Sequence, residues 1–348
     1  MSELKDVITS YNSLSFSDRI VFYTTITNDI TVSDDIQSFL IEKRLNGEGS
    51  CICCEGTHVV KNGKRKDGIQ RYLCRDCHRS FIPGSDSVTS RTRKPLSVWA
   101  AYLKCMMDQK TLRKSSEECH ISMATAFTWR HKILDTLSGL TEKTYLTGTV
   151  EADETFFNVS FKGNHRKSLD FSMPRKAHRR GNDVHVKGLS SEKICVPCAV
   201  DDTGMSCAGV GKQGKISSEC IKRILGDRIA PHTILCTDRE RAYIDLASRN
   251  GLTLIQMDTD SRINRKDGKI CGIQRINAYH SRLKLFIRKF NGMSTKHLGN
   301  YIVWNALLSG NHRSSKTFFD QLWGQLLCAR ITIYGRDIPG RPPLPVVV

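Results

Sequence analysis

GTVEADETFFN, residues 148–158, decides the fold. β-Branched and aromatic residues favour a strand, and glycine opens it. Strand alternation sets Glu151, Asp153 and Thr155 on one face and Glu154 on the other. A carboxylate such as Asp153 inside a strand is costly unless it is paired or binds a cation. Downstream, KICVPCAVDDTG (193–204) and MSCAGVGK (205–212) read as a hairpin with residues 202–204 in the turn. ISSECIKRILGDRI (216–229) reads as a helix, HTILCTD (232–238) as a short buried strand, and ERAYIDLASRNG (240–251) as a helix closed by glycine. LTLIQMD (252–258) is another strand, and 273–290 and 294–308 are helices. Strands followed by alternating strand and helix predict an α/β sheet of mixed direction, flanked by helices.

Asp238 ends the strand ILCTD, at the carboxyl edge where open α/β sheets bind ligands. Two aspartates on neighbouring strands suit Mg²⁺, a hard cation that prefers oxygen. The helix IQRINAYHSRLKLFIRKF (273–290) has no Asp or Glu. Its Asn277, His280, Ser281 and Lys284 fall at i, i+3, i+4 and i+7 and share a face. Ile276, Tyr279, Leu283, Phe286 and Phe290 form the apolar side. An Asn277 carbonyl can ligate a cation without adding charge, and Lys284 can hold a phosphate; a solvated polar stripe accounts for the same pattern. His280 reads as a ligand, a phosphate contact or a structural residue, and Glu154 as a neighbour of the carboxylate site.

The chain has 348 residues, enough for two or three domains with a large core. With 39% hydrophobic and 25% charged residues it is neither disordered nor fibrous. No apolar run reaches the roughly 18–20 residues of a membrane span. MSELKDVITSYNSLSF shows no secretory pattern, so the expected location is the cytoplasm, on the nucleoid when bound. The net charge of +18 is uneven: −4 over 1–50, +8 over 51–145 and +14 over 146–348. Such a surplus points to a polyanion, nucleic acid first. Residues 162–187 alone carry +6, including Arg175, Lys176, Arg179 and Arg180, and a long basic loop there suits phosphate contacts.

Cys51-x2-Cys54 and Cys74-x2-Cys77, 19 residues apart, form two knuckles able to place four thiolates around Zn²⁺. So short a segment needs a metal to fold. Cys53 is a spare thiol that could replace Cys51 or Cys54. Between the knuckles Lys64, Arg65, Lys66 and Arg71 suit phosphate contacts. In TLRKSSEECHISMATAFTWRHKILDTL (111–137) a helix, a break at 120–122 and a second helix suggest a helix-turn-helix. Met123, Ala126, Phe127, Ile133, Leu134 and Leu137 would form its buried stripe, and Arg130 and Lys132 part of its DNA-facing side; a plain helical pair is the alternative. Cys195, Cys198 and the four tryptophans, Trp99, Trp129, Trp304 and Trp323, read as core.

These pieces resemble a bacterial insertion-sequence transposase of the DD(E/N) type, in the ISXO-like group with an N-terminal zinc ribbon. The matching motifs are the paired C-x2-C with RYLCRDCHRSF, then VEADETFF, LCTDRERAY and INAYHSRLKLFIRKFNGMSTKHLGNYIVW, across roughly residues 50–310. The resemblance implies an RNase H-like catalytic domain with the first aspartate on its first strand and the second on its fourth. It implies Asp153, Asp238 and Asn277 as holders of Mg²⁺ or Mn²⁺, with Lys284 as the accompanying basic residue. It further implies cleavage of double-stranded DNA at element ends, joining of the freed 3′ hydroxyl to target DNA, and a homo-oligomer. Asn277 departs from the commoner glutamate and leaves less charge to balance the ions. Arg282 and Arg288 extend the basic field. A non-catalytic DNA-binding regulator and a nuclease without strand transfer are the competing functions. The expected division is a helical preface (1–48), a zinc ribbon (49–84), a helix-turn-helix-like domain (92–143), the catalytic domain (146–310) and a C-terminal helix with an extended proline-rich tail (311–348).

Overall fold

The computed structural model describes residues 2–15, 18–19, 50–66, 70–82, 84–85, 87–90, 92–141, 145–164, 172, 192–257, 263–266, 269–309, 316–329, 331 and 333–343. Arg175, Lys176, Arg179 and Arg180, and most of the expected preface, lie outside them. The chain divides into two compact units, residues 1–137 with 312–335, and residues 138–311 with 336–348. No helix among the described residues is long and apolar enough to cross a membrane.

The first unit opens with helix α1 (Ser2–Ser13). A small antiparallel sheet follows, with β1 (Val59–Lys64), β2 (Gln70–Cys74) and β3 (Ser80–Phe81) in that order. Its core is little more than Cys51, Tyr72, Cys74 and Phe81. Then come α2 (Leu96–Met107), α3 (Leu112–Glu118) and α4 (Met123–Thr141). The Thr111 hydroxyl accepts from the Lys114 N–H and starts α3; Ser122 Oγ accepts from the Thr125 N–H at 3.0 Å and starts α4. Trp99 and Trp129 stack at 3.8 Å and lock α2 onto α4. Helix α9 (Lys316–Cys328) belongs to this unit and buries Phe318, Phe319, Leu322, Trp323, Leu326 and Leu327.

The helix–turn–helix order stands, but Arg130 does not face outward. It is 1% exposed, and its Nη2 donates to the Lys110 carbonyl at 2.8 Å. It lies four residues from both Ala126 and Leu134, in the middle of the buried stripe of α4, so it cannot reach a phosphate. Met123, expected inside, is 48% exposed at the start of α4. Arg130→Ala is therefore expected to lower stability by about 2–4 kcal/mol through a lost hydrogen bond and a cavity. DNA affinity of the folded protein should not change; a thermal melt beside a binding isotherm checks both.

The second unit is built on a five-stranded sheet ordered β6-β5-β4-β7-β8. The strands are β4 (Thr149–Asn158), β5 (Lys193–Val200), β6 (Ser206–Ala208), β7 (Ile234–Thr237) and β8 (Thr253–Gln256). The first three form an antiparallel meander, and β4, β7 and β8 run parallel. This is the RNase H-like mixed sheet, with β4 first and β7 fourth. Asp201 Oδ1 accepts from the Thr203 N–H, the Thr203 hydroxyl and the Met205 N–H, and Gly204 has a positive φ of 86°. That closes the β5–β6 turn. One sheet face buries Val150, Ala152, Cys195, Ala199 and Leu235 against α5 (Ser218–Leu225) and α6 (Ala242–Asn250). The other buries Val196, Cys198 and Val200 against α7 (Gln274–Arg288) and α8 (Leu298–Ser309). A separate hairpin, β9 (Ile263–Lys266) with β10 (Lys269–Gly272), precedes α7.

The expected extended tail is corrected over its described part. Residues 336–343 turn back in the second unit, where Ile338 is fully buried and the Pro339 carbonyl accepts from Lys296 at 2.8 Å. Arg341 donates to Asn300 Oδ1 at 3.0 Å.

Candidate active site and metal centre

The four Sγ atoms of Cys51, Cys54, Cys74 and Cys77 lie within 4.8 Å of one another, with 3.6 Å for both Cys51–Cys77 and Cys54–Cys74. An ion at the usual ~2.3 Å from each sulfur of a tetrahedron sets the sulfurs about 3.8 Å apart, so this set fits a zinc ribbon. Cys53 is exposed and outside the cluster; its backbone N–H donates to Cys51 Sγ at 3.3 Å, which settles which thiols form the knuckle. Gly56 keeps the loop close, since a Cβ there would fall 2.0 Å from Asp76 Oδ2. Lys64, Arg65, Lys66 and Arg71 are all exposed on this ribbon.

In the second unit the parallel register pairs Glu151 with Cys236 and Ala152 with Thr237. One step further sets Asp153 beside Asp238, on strands about 4.8 Å apart. Asp153 Oδ1 accepts from the Glu154 N–H at 2.8 Å. Asp238 Oδ1 accepts from the Glu240 N–H at 3.0 Å, and its carbonyl accepts from Gln256 at 3.2 Å. Asp153, within β4 opposite Cys198, and Asp238, just past the end of β7, are thus both held by the backbone around them.

Helix α7 crosses the face on which Asp153 points. His280 Nδ1 lies 3.8 Å from Asp153 Oδ2, and the Lys284 charge acts on both groups. Burial first, then the Asp238 charge, pushes the pKa of Asp153 up to about 6, against the Glu154 N–H and Lys284. Burial first, then Lys284, hold His280 down to about 4 against a hydrogen bond with the Asp153 backbone, so its ring is neutral at pH 7. Asn277 is exposed on α7, one turn before His280 on the same helix face. Asp153, Asp238, His280 and Lys284 are therefore brought together, and Asn277 sits at the neighbouring turn. Glu154 points to the opposite side of the sheet, towards Tyr243 of α6, and burial pushes its pKa up to about 7.

A desolvated carboxylate, Asp153, with a second carboxylate beside it is a site whose cost a divalent cation would remove. A cation must displace the proton from Asp153. Its affinity is therefore expected to fall about tenfold per pH unit below pH 6 and to level off above it, as Mn²⁺ titrations across pH 5–8 would show.

Residues 145–303 match the family model described as an ISXO2-like transposase domain. The segment is an insertion-sequence transposase domain. A protein described as an uncharacterized protein in transposable element ISH50, from Halobacterium salinarum, is 25% identical over 205 residues, 58% of this chain and 66% of that protein. The alignment thus spans slightly less than two thirds of the relative's length. A chain of a pre-cleavage Mos1 transpososome crystal structure matches at 10% identity and a TM-score of 0.22, covering 70% of this chain and 82% of that chain; so low a likeness bears on neither fold nor function.

The transposase domain ties α7 to β4 through a residue to which the sequence assigned no role. Glu151 is 4% exposed. It accepts from Arg275 Nε at 2.8 Å and from the Ile276 N–H at 3.1 Å, so it both pairs an arginine and caps the N-terminus of α7. Glu151 stands two residues before Asp153 on the same strand face, and Ile276 adjoins Asn277. The clamp fixes the start of α7 against β4. Its strand position was legible, but its partner became visible only when α7 was docked. Glu151→Ala is expected to slow DNA cleavage about 10–100-fold, whereas Glu151→Gln, which keeps an acceptor for the N–H, should fall between it and wild type. Full activity in the alanine variant would remove the clamp from the site.

Arg282 and Arg288 of α7 are exposed, as is Lys289 just after it. Lys132, on α4 of the other unit, is half-buried.

Proposed function

We propose that the protein is a DD(N)-type DNA transposase that cleaves phosphodiester bonds at insertion-sequence ends and joins the freed 3′ hydroxyl to target DNA. The observation that carries this reading is the register that sets Asp153 beside Asp238 under the helix bearing Asn277 and Lys284, within a transposase domain. Asp153, Asp238 and Asn277 would hold Mg²⁺ or Mn²⁺. When bound, such ions activate the attacking oxygen and stabilise the leaving one. Lys284 holds a non-bridging phosphate oxygen, and Glu151 keeps α7 in place during both steps. First a water oxygen bonds to phosphorus, the P–O3′ bond breaks, and the 3′ oxygen takes up a proton. Then that 3′ hydroxyl bonds to a target phosphorus, loses its proton, and displaces the target's own 3′ oxygen.

DNA is double-stranded and is gripped by Lys64, Arg65, Lys66 and Arg71 of the zinc ribbon, by Lys132, by Arg282 and Arg288, and by the basic stretch with Arg175, Lys176, Arg179 and Arg180. Zn²⁺ at the four cysteines has a structural role. Two ends must meet for joining, so the working form is a homo-oligomer on DNA in the bacterial cytoplasm. Incubation with labelled element ends, a target plasmid and Mg²⁺ or Mn²⁺ tests this. Joined products support it. Cuts without joining would make the protein a nuclease, and binding alone a regulator.

A further inference from the structure

Helix α7 brings no carboxylate to the site, and Asn277 brings no charge. It does bring a buried imidazole. The His280 side chain is 9% exposed against 26% for Asp153, and its Nδ1 stands 3.8 Å from Asp153 Oδ2. That separation is too long for a hydrogen bond. It is close to the spacing of two atoms that share an ion: ligands at ~2.1 Å lie about 3.0 Å apart at a right angle and about 3.6 Å apart at 120°. The far nitrogen, Nε2, is buried and makes no hydrogen bond among the described residues. His280 lies between Asn277 and Lys284 on one helix face.

We propose that His280 is a nitrogen ligand to the divalent ion held by Asp153. The inference rests on the reading in which Asp153 binds such an ion. It would add His280 to Asp153 in the donor set, with Asn277 as a neutral companion. Imidazole suits transition ions better than it suits Mg²⁺, so this half of the site favours Mn²⁺ or Co²⁺.

The full-length, zinc-loaded chain with added Mn²⁺ tests the assignment by pulsed electron paramagnetic resonance. The expected result is ¹⁴N modulation of the imidazole type, replaced by the ¹⁵N pattern when the protein is made with ¹⁵N-histidine, which needs no substitution. In His280→Gln the modulation should vanish and Mn²⁺ should bind about 10-fold more weakly. Asp153→Asn locates the ion. If Mn²⁺ binding depends on Asp153 but shows no nitrogen coupling, or the coupling persists in His280→Gln, the proposal is overturned and the reading of Asp153 stands. If Asp153→Asn leaves Mn²⁺ binding unchanged, both fall.

Discussion

Asp153→Ala and Asp238→Ala are each expected to abolish DNA cleavage, by 10³-fold or more, while leaving DNA affinity within about twofold. A cation that loses its carboxylate gives up several kcal/mol of transition-state stabilisation, and each ~1.4 kcal/mol is a factor of ten. In the proposed reading, affinity for DNA comes from lysines and arginines and does not pass through the aspartates. The Asp153 variant carries a second signature. Its carboxylate titrates near 6 in the folded chain and near 3.8 unfolded, so its charge is a burden on the metal-free fold. The penalty is absent below about pH 4, grows as pH rises through the window from 4 to 6, and is complete at pH 7. Removing the group should raise the metal-free melting temperature at pH 7, by up to about 3 kcal/mol of stability, and should change nothing at pH 3.5. Loss of activity with a lower melting temperature would instead mark Asp153 as a structural residue.

Cys54→Ser or Cys74→Ser should remove the bound zinc and unfold the ribbon. The ribbon's own core, Tyr72 and Phe81 around two cysteines, is too small to fold without an ion. Zinc binding to such modules contributes about 10–16 kcal/mol, so one missing thiolate is not compensated locally. Metal analysis should fall from one zinc per chain to none, and trypsin should cut after Lys61 and Lys64 where the native ribbon resists. Cys53→Ser is the control: with its side chain outside the cluster, it should keep the zinc and the resistance. Zinc loss in Cys53→Ser, or retention in Cys54→Ser, would reassign the knuckle.

Most of the catalytic sheet was legible because its strands are buried and bounded by turn residues. Residues 149–158, 193–200, 234–237 and 253–256 each combine β-branched or apolar residues with glycine or aspartate at an end. Asp153 and Asp238 stood out because a carboxylate interrupts an apolar run. The hairpin over 263–272 was not foreseen: INRK and KICG are too short and too charged for alternation to show. Arg130 misled because long cations are usually exposed, and only the packing of α4 against the turn at Lys110 reveals a carbonyl able to satisfy it. The periodicity of 316–328 is that of a helix but cannot name its partner, which is the first unit. Glu151 and His280 share that limit. Each meets a residue more than a hundred positions away, and one sequence carries no signal for such pairs.

The central claim is that Asp153, Asp238 and Asn277 surround divalent ions, and Fe²⁺-directed cleavage of the protein backbone tests it most directly. Fe²⁺ bound in place of Mg²⁺ and treated with ascorbate and peroxide cuts the chain beside the groups that hold it. The account predicts fragments ending near residues 153, 238 and 277, suppressed by excess Mg²⁺ and absent in Asp153→Asn. Cuts near 153 and 238 with none near 277 would remove Asn277 from the site, and cuts confined to the cysteine ribbon would contradict the account as a whole.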